Sequence, residues 1–565
     1  MASALAALGL ALALAPPFAP AACAASAGDR VRALGEAFVM RLIERSPDRA
    51  TRLGIHDHDD RLIPVTQATL REDRDAARAL EQALREIPDA GLPPARALER
   101  ELLLGRCATT LADLEIMRPF ERDPLAYLPL IAGSVRAVFD RVNGPPCGRT
   151  HLAARRLAAV PEALRAARIN VSGAPPERVA IAIERLPAVL RFYRETVPAL
   201  AAACHDGRVQ ADLAEADSAA IRAVEAFIAD LREARPAPGA SLAVGAEACG
   251  RWIAAVTGER PSLDSLRVEA EGAVDLERAR VDALAAAGAT AAPVRLDRVR
   301  IEEAVQRVTA FVADHGLVTG RTPAVTVRDA APCDVEPLAL DVPGPWEEHA
   351  RQIRLDLVGQ DADDLPAERR SAPPFTHWDA DRLAIGAVTP GSLARHQAIR
   401  RMPTRLAHML AWSRPGEAWA GFAERLMLDE GYAGGADGLA LAVARTSLRR
   451  HARTLAALGL YSGTLTLESA GRMLVERCGL DQVTAAYEAR MAASDPHAMV
   501  YTHAVSSLIA LRDEARRRLG PAFRTRAFVD AALRAGGVPG ASLRARVLRD
   551  LGVNVADRES SGAAP

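Results

Sequence analysis

The chain has 565 residues, 49% of them apolar, which is enough to bury a large core. Every basic residue is arginine, and the 71 of them are balanced by 72 acidic residues for a formal net charge of −1. With no long run of one sign, that balance argues against wrapping a nucleic acid or lying on an acidic membrane surface.

The opening stretch "MASALAALGLALALAPPFAPAACAASAGDR" is uncharged until Asp29 and apolar over too short a run for a stable span. It predicts a removable export signal over residues 1–25, with cleavage after Ala25, although the usual basic start is missing. Cys23 in "APAAC" is a candidate lipid-attachment residue, with a proline three positions before it arguing the other way. The protein is therefore expected to be exported, periplasmic or extracellular, and open to anchoring as a lipoprotein.

Beyond the signal, apolar residues recur at three- and four-residue spacing, the signature of amphipathic helices. The pattern predicts helices over 31–45, 65–87, 95–117, 152–168, 176–200, 210–234, 262–287 and 299–315. It resumes over 403–411, 417–430, 437–458, 466–475, 480–493 and from His503 to Gly520. Strand-like alternation is confined to "PAVTVRDA" and "RQIRLDLV". The fold class is thus mainly α, a large helical body with a cleft and a minor β element around residues 323–358. Residues 26–555 are expected to form one such body, with a lobe boundary near 235–245 as a further option, and 556–565 a disordered tail. The loop 359–376 is long, and a long loop inside a compact body is more often functional than decorative.

Six cysteines follow the signal: Cys107, Cys147, Cys204, Cys249, Cys333 and Cys478. They form no Cys-x-x-Cys or Cys-His cluster, so a structural zinc is not expected. Disulfides are allowed in an export compartment, and buried free thiols are the expectation for most of the six.

From residue 341 the chain reads "DVPGPWEEHARQIRLDLV", a loop, "AIGAVTPGSLARHQ", then "RPGEAWAGFAERLMLDEGY". Together with "ATRLGIHDHDDRL", "ERDPLAYL", "RLAAVPEALRAARINV" and the closing "YTHAVSSLIALRDEARRRLGPAFRTRAFVDAALRAGGVPG", this order resembles the bacterial domain-of-unknown-function family 885. Its members look like secreted or lipid-anchored helical zinc metallopeptidases of the kind that includes carboxypeptidase Taq and angiotensin-converting enzyme. The resemblance covers nearly the whole mature chain.

What it implies for chemistry is the pattern His-Glu-Ala-x-Pro-Gly-His-His, followed some twenty residues on by Glu-Gly-Trp-Ala. Imidazoles and a carboxylate would hold Zn²⁺, and the glutamate would take a proton from the attacking water. Aligned on Pro390-Gly391, this chain has Gly386 for the first histidine, Ala387 for the glutamate, and Ser392 and Leu393 for the last pair. Ala457 and Tyr461 replace the family's Asp and His in "ALGLY", and Val529 replaces the histidine of Phe-His-Asp before Asp530. The surrounding scaffold keeps Glu417, Trp419, Phe422, Glu424, Tyr432 and Tyr501, the last where the family has a tyrosine able to donate to an oxyanion.

The resemblance therefore implies a metallopeptidase-like pseudoenzyme: zinc-dependent hydrolysis lost, no cofactor needed, and peptide or small-ligand binding kept in the old cleft. That cleft would retain Glu417, Trp419, Glu424, Tyr461 and Tyr501. On one helix, Glu417 and Glu424 share a side opposite the apolar Trp419, Phe422 and Leu426. The alternative is an active hydrolase with zinc relocated to His396, His408 and Glu417. His56, Asp57, His58, Asp59 and Asp60 look like a metal-binding tract, but the family writes similar acidic turn residues here and the tract reads better as a solvated, partly helix-capping loop. His377, Trp378, Asp379, His497 and His503 are candidate pocket residues. A serine mechanism through Ser392 and His396 lacks both an oriented acid and a nucleophile elbow, and "GYAGGADG" follows a helix, so it reads as a stop and not a phosphate cradle.

Overall fold

The computed structural model describes residues 26–553 apart from 142, 290–291, 331–337, 348–352, 358–373, 413–415 and 539. The export signal, Cys23, Cys333, most of the 359–376 loop and the C-terminal tail lie outside the described residues.

Four helices open the described chain: α1 (Ala27–Arg45), α2 (Pro47–Leu53), α3 (Gln67–Arg85) and α4 (Pro94–Ala112). In α3, Leu70, Ala76, Leu80 and Leu84 are buried on one stripe, and Thr66 caps the first turn by accepting from the Thr69 backbone N–H. The side-chain cap satisfies a donor that the helix itself leaves unpaired.

Next come α5 (Pro146–Asn170) and α6 (Gly207–Glu233), packed along each other, then α7 (Leu263–Ala286) and α8 (Arg298–Asp314). The helix expected over 176–200 is a run of shorter segments, Pro176–Arg185, Pro187–Arg191 and Val197–Ala201 with a wider turn at Phe192–Thr196. Pro187 starts the second of these and Pro198 lies in the third, each removing a helical N–H. The loop at 235–245 leads into a helix the periodicity did not reveal, Ala246–Thr257. Its end is stitched to the distant chain, because the Val244 and Gly245 amides both donate to the Tyr461 carbonyl.

The β element has three strands in the order β1 (Val325–Asp329), β3 (Ile353–Leu357), β2 (Leu338–Asp341). β1 and β3 run parallel and β2 runs antiparallel to β3. Register explains both faces. Val327 pairs with Leu355 and both are buried, while the neighbouring pair Arg328 and Asp356 forms an ion pair on the other face.

The C-terminal half carries α9 (Asp379–Ala387), α10 (Ser392–Ile399), α11 (Glu417–Asp429), α12 (Asp437–Ser462) and α13 (Tyr501–Leu519). α12 is buried on nearly every side. It gives Leu439 and Val443 to the core under the sheet and Leu448, Ala452 and Leu455 to the larger core built on α5, α6 and α7. The charged residues in its middle are thereby held between two apolar bodies. Cys147 and Cys204 form a disulfide, and Cys107, Cys249 and Cys478 are buried free thiols. Among the described residues no helix is long and apolar enough to cross a membrane.

Candidate functional site

The stretch "AIGAVTPGSLARHQ" is the end of α9, a tight turn with a cis Thr389–Pro390 bond, and the start of α10. Gly391 is dictated by space: a Cβ there would run into the carbonyl oxygens of Ile385 and Gly386. Trp419 of α11 donates its indole N–H to the Pro390 carbonyl oxygen at 2.8 Å, fastening the turn to the next helix. Asp379 fixes the start of α9 by accepting from the Thr376 backbone N–H and hydroxyl, each at 2.8 Å.

Position 386 faces α11. A Cβ added to Gly386 would sit 3.4 Å from the Ala420 Cβ and 3.6 Å from Glu424 Oε1. A side chain here would therefore point at a carboxylate, as a metal ligand would need to. Glycine brings none.

Arginine occupies the carboxylates instead. Glu424, 1% exposed, is held by Arg450 Nη1 at 2.8 Å and by Arg382 Nη1 at 3.2 Å. Arg382 also donates to Asp379 at 2.8 Å. Arg450 reaches Glu417 at 3.5 Å, and Arg453 stands 3.8 Å from the same carboxylate while binding Glu488 at 2.7 Å. Arg449 lies 3.8 Å from Glu488. Arg382, Arg449, Arg450 and Arg453 thus face Asp379, Glu417, Glu424 and Glu488, a charge-balanced lattice in which each buried charge has an opposite partner. Glu417 is its open end, with its side chain 45% exposed.

Tyr501 completes the group. The Arg450 guanidinium lies 5.7 Å from its ring centroid, and burial pushes its phenol well above the usual range, so it stays protonated. Its hydroxyl lies where a Cβ on Gly421 would fall, so the glycine makes room for it.

Tyr461 does not join them. It is eleven residues beyond Arg450 on α12, about 16 Å at the helical rise per residue. Its hydroxyl accepts from Arg178 at 2.5 Å and donates to the Ala493 carbonyl at 3.0 Å. With His497 and Arg122 it lines a separate cavity of about 340 Å³. Of the five residues expected in the cleft, Glu417, Glu424 and Tyr501 meet around Arg450, Trp419 shares their helix but is turned to Pro390 and Phe422, and Tyr461 belongs elsewhere.

The other candidates scatter. Burial lowers His396 to about 3 and His408 to about 4, with Arg395 and His408 adding to the effect on His396 and Arg400 to that on His408. Glu417, the third member of the relocated set, is turned to Arg450 and Arg453. His56 pairs with Asp59 at 2.7 Å, and Asp59 in turn accepts from the Thr51 hydroxyl at 2.5 Å, so this pair of the acidic tract braces α2. His497 pairs with Asp495 at 3.1 Å, and His377 stacks edge-on to Trp378. His503 bridges Glu269 at 3.0 Å and Glu259 at 2.8 Å, which raises it to about 9. Phe528 packs against Phe422, and Asp530 accepts from the Thr319 amide at 3.0 Å.

A tetrahedral zinc centre needs several lone-pair donors converging on one point. Among the described residues no group of three His, Cys, Asp or Glu side chains comes together in that way. At positions 386, 387, 392 and 393 the side chains are hydrogen, methyl, hydroxymethyl and isobutyl. The residues present do not fit the metal.

Motif spacing singles out none of these four arginines. One signal was available: Arg449, Arg450 and Arg453 sit in a helix whose apolar residues cover almost its whole circumference, so guanidiniums there must be buried and paired.

Comparison with known proteins agrees with this architecture. The chain is similar over 93% of its length to a solved candidate lipoprotein of unknown function from Shewanella oneidensis, with 18% identity, all of that chain covered and a TM-score of 0.71. A second solved candidate lipoprotein, from Colwellia psychrerythraea, is 16% identical, with 93% of this chain and 99% of that one covered and a TM-score of 0.72. At these identities the likeness is one of fold. No curated protein matches the chain. The family model for bacterial proteins of unknown function matches residues 47–547, and the chain belongs to that family, domain of unknown function 885.

Proposed function

We propose that this protein is an exported, non-hydrolytic member of its family, a metallopeptidase-like scaffold that binds a peptide or other small ligand without activating water on zinc. The observation that carries the reading is the lattice at α9, α11 and α12. Where the resemblance calls for imidazoles beside a carboxylate, Gly386 faces a Glu424 already clamped between Arg382 and Arg450. Three separate losses point the same way, because metal ligands, general base and the distal His-Asp elements are all replaced by groups that serve neither as a metal ligand nor as a general base at neutral pH.

Glu417 gives the lattice its one half-exposed carboxylate, beside Arg450, Arg453 and the buried Tyr501. A ligand offering both a cation and an anion, as a peptide terminus and side chain do, would exchange partners there without leaving a charge unpaired. Export is supported by the Cys147–Cys204 disulfide, since such bonds persist in oxidising compartments. The two similar solved proteins, themselves candidate lipoproteins, are in keeping with an anchor at Cys23.

The test is a peptidase assay on the purified chain with a mixed peptide library, with and without added zinc and with a chelator. No chelator-sensitive cleavage is expected. Zinc-dependent cleavage abolished by His396→Ala, His408→Ala and Glu417→Ala would establish the relocated centre instead.

A further inference from the structure

A second concave site shares no residue with that lattice. A cavity of about 400 Å³ opens between the C-terminal half of α1, α2, α3 and α4. Its size is that of a small-molecule site. Its floor is apolar, with Leu70, Leu80 and Leu130 nearly buried and Phe38, Leu42 and Phe120 completing it.

Its rim carries five guanidiniums, Arg41, Arg45, Arg49, Arg52 and Arg106, against two carboxylates, Asp48 and Asp73. The carboxylates are shared out already. Asp73 takes both Arg41 at 2.8 Å and Arg45 at 3.4 Å, and Asp48 takes Arg52 at 2.9 Å. Arg49 lines the cavity and makes no ion pair with any described residue. Burial works against the charge of Arg52, Asp48 offsets part of this, and the nearby Arg49 and Arg141 add to it. An added anion would relieve it.

We infer that this cavity binds a single-chain anionic amphiphile, a fatty acid being the simplest. The carboxylate meets the arginine rim and the alkyl chain lies on the leucine and phenylalanine floor. The two halves make separate demands. An arginine rim prefers a planar carboxylate, which accepts two parallel N–H bonds. The floor gains affinity with each methylene removed from water. A free inorganic anion satisfies only the rim and an alcohol only the floor, so neither should bind as tightly as a molecule with both.

Titration calorimetry on the full chain with dodecanoate, held below its micelle concentration, tests the inference. One saturable site is expected, with dodecanol and acetate at least about tenfold weaker, as loss of a charge-assisted pair or of the buried chain implies. Arg49→Glu, an exposed substitution, and Ala77→Trp, which fills the cavity, should each weaken dodecanoate by about tenfold or more while circular dichroism is unchanged. No saturable dodecanoate binding, equal binding of dodecanol, or wild-type affinity in Ala77→Trp would each overturn it. None of these readouts depends on zinc or peptide cleavage.

Discussion

Replacing Arg450 by methionine removes the closest cation from a carboxylate that water cannot reach. Glu424 is 1% exposed, and of its two partners Arg450 is at 2.8 Å and Arg382 at 3.2 Å. Breaking a buried ion pair from one side costs about 3–5 kcal/mol, since the surviving charge stays desolvated. Arg382 remains, so the lower end, about 3 kcal/mol, applies to Arg450→Met. Adding Glu424→Met removes the stranded charge and leaves Arg382 its bond to Asp379 at 2.8 Å. The double variant should therefore recover to within about 1 kcal/mol of the parent, so the coupling between the sites is about 2 kcal/mol plus whatever Glu424→Met costs alone. Urea unfolding followed by tryptophan fluorescence and by circular dichroism measures both, with coincidence of the two probes checking that one transition is being read. The reasoning fails if Arg450→Met costs under about 1 kcal/mol, or if the two substitutions simply add.

Other parts of the structure give sharp expectations. Gly421→Ala drives a methyl into the Tyr501 hydroxyl and should destabilise by about 1–3 kcal/mol, with Tyr501→Phe recovering much of it; rescue absent from the thermal melt would place the strain elsewhere. His503, raised to about 9 by Glu269 and Glu259, stabilises the fold fully below its unfolded value near 6.5, and that contribution fades as pH climbs from there through 9. In His503→Gln the loss of stability between pH 6.5 and 9.5 should flatten, and an unchanged slope would contradict the assignment. On the acid side, His396, His408 and His451 are lowered by burial to about 3, 4 and 4, so the unfolded chain takes up their protons first and stability drops as pH falls from about 6.5 towards 4. His451→Asn should shrink that drop. The Cys147–Cys204 bridge closes a separation of 57 residues, and Cys147→Ser with Cys204→Ser should cost at most about 4 kcal/mol on loop entropy, read by denaturation under non-reducing conditions.

Helical periodicity was strong wherever a helix presents one apolar face, as in α3, where Leu70, Leu80 and Leu84 lie on one stripe above charged neighbours. It was silent for Ala246–Thr257, whose "AEACGRW" start follows a proline- and glycine-rich loop and offers few large apolar residues to set a period. β2 escaped because four residues, "LALD", give too little alternation. Its partner β3 was visible, but the parallel pairing of β3 with β1 was not, since nothing local encodes a parallel neighbour. At the site, the sequence placed Glu417, Glu424, Trp419 and Tyr501 together because three of them lie on one helix and the fourth was carried by the family likeness. It also grouped Tyr461 with them, and there the helix rise separates what the motif order had joined. The partners of the carboxylates were beyond reach for a plain reason: which arginine meets which glutamate depends on the crossing of α9, α11 and α12, and no spacing rule along one helix supplies that.

Whether the centre can hold a divalent ion at all separates the proposed function from a relocated zinc site. Zinc titration of the full chain in competition with a chromophoric chelator reads this directly, with the Glu417→Ala variant alongside. The chelator should keep the metal, and the two proteins should behave alike. A single tight zinc per chain, weakened by Glu417→Ala, would mean that donors do converge beside Gly386 and would contradict the proposed non-hydrolytic role.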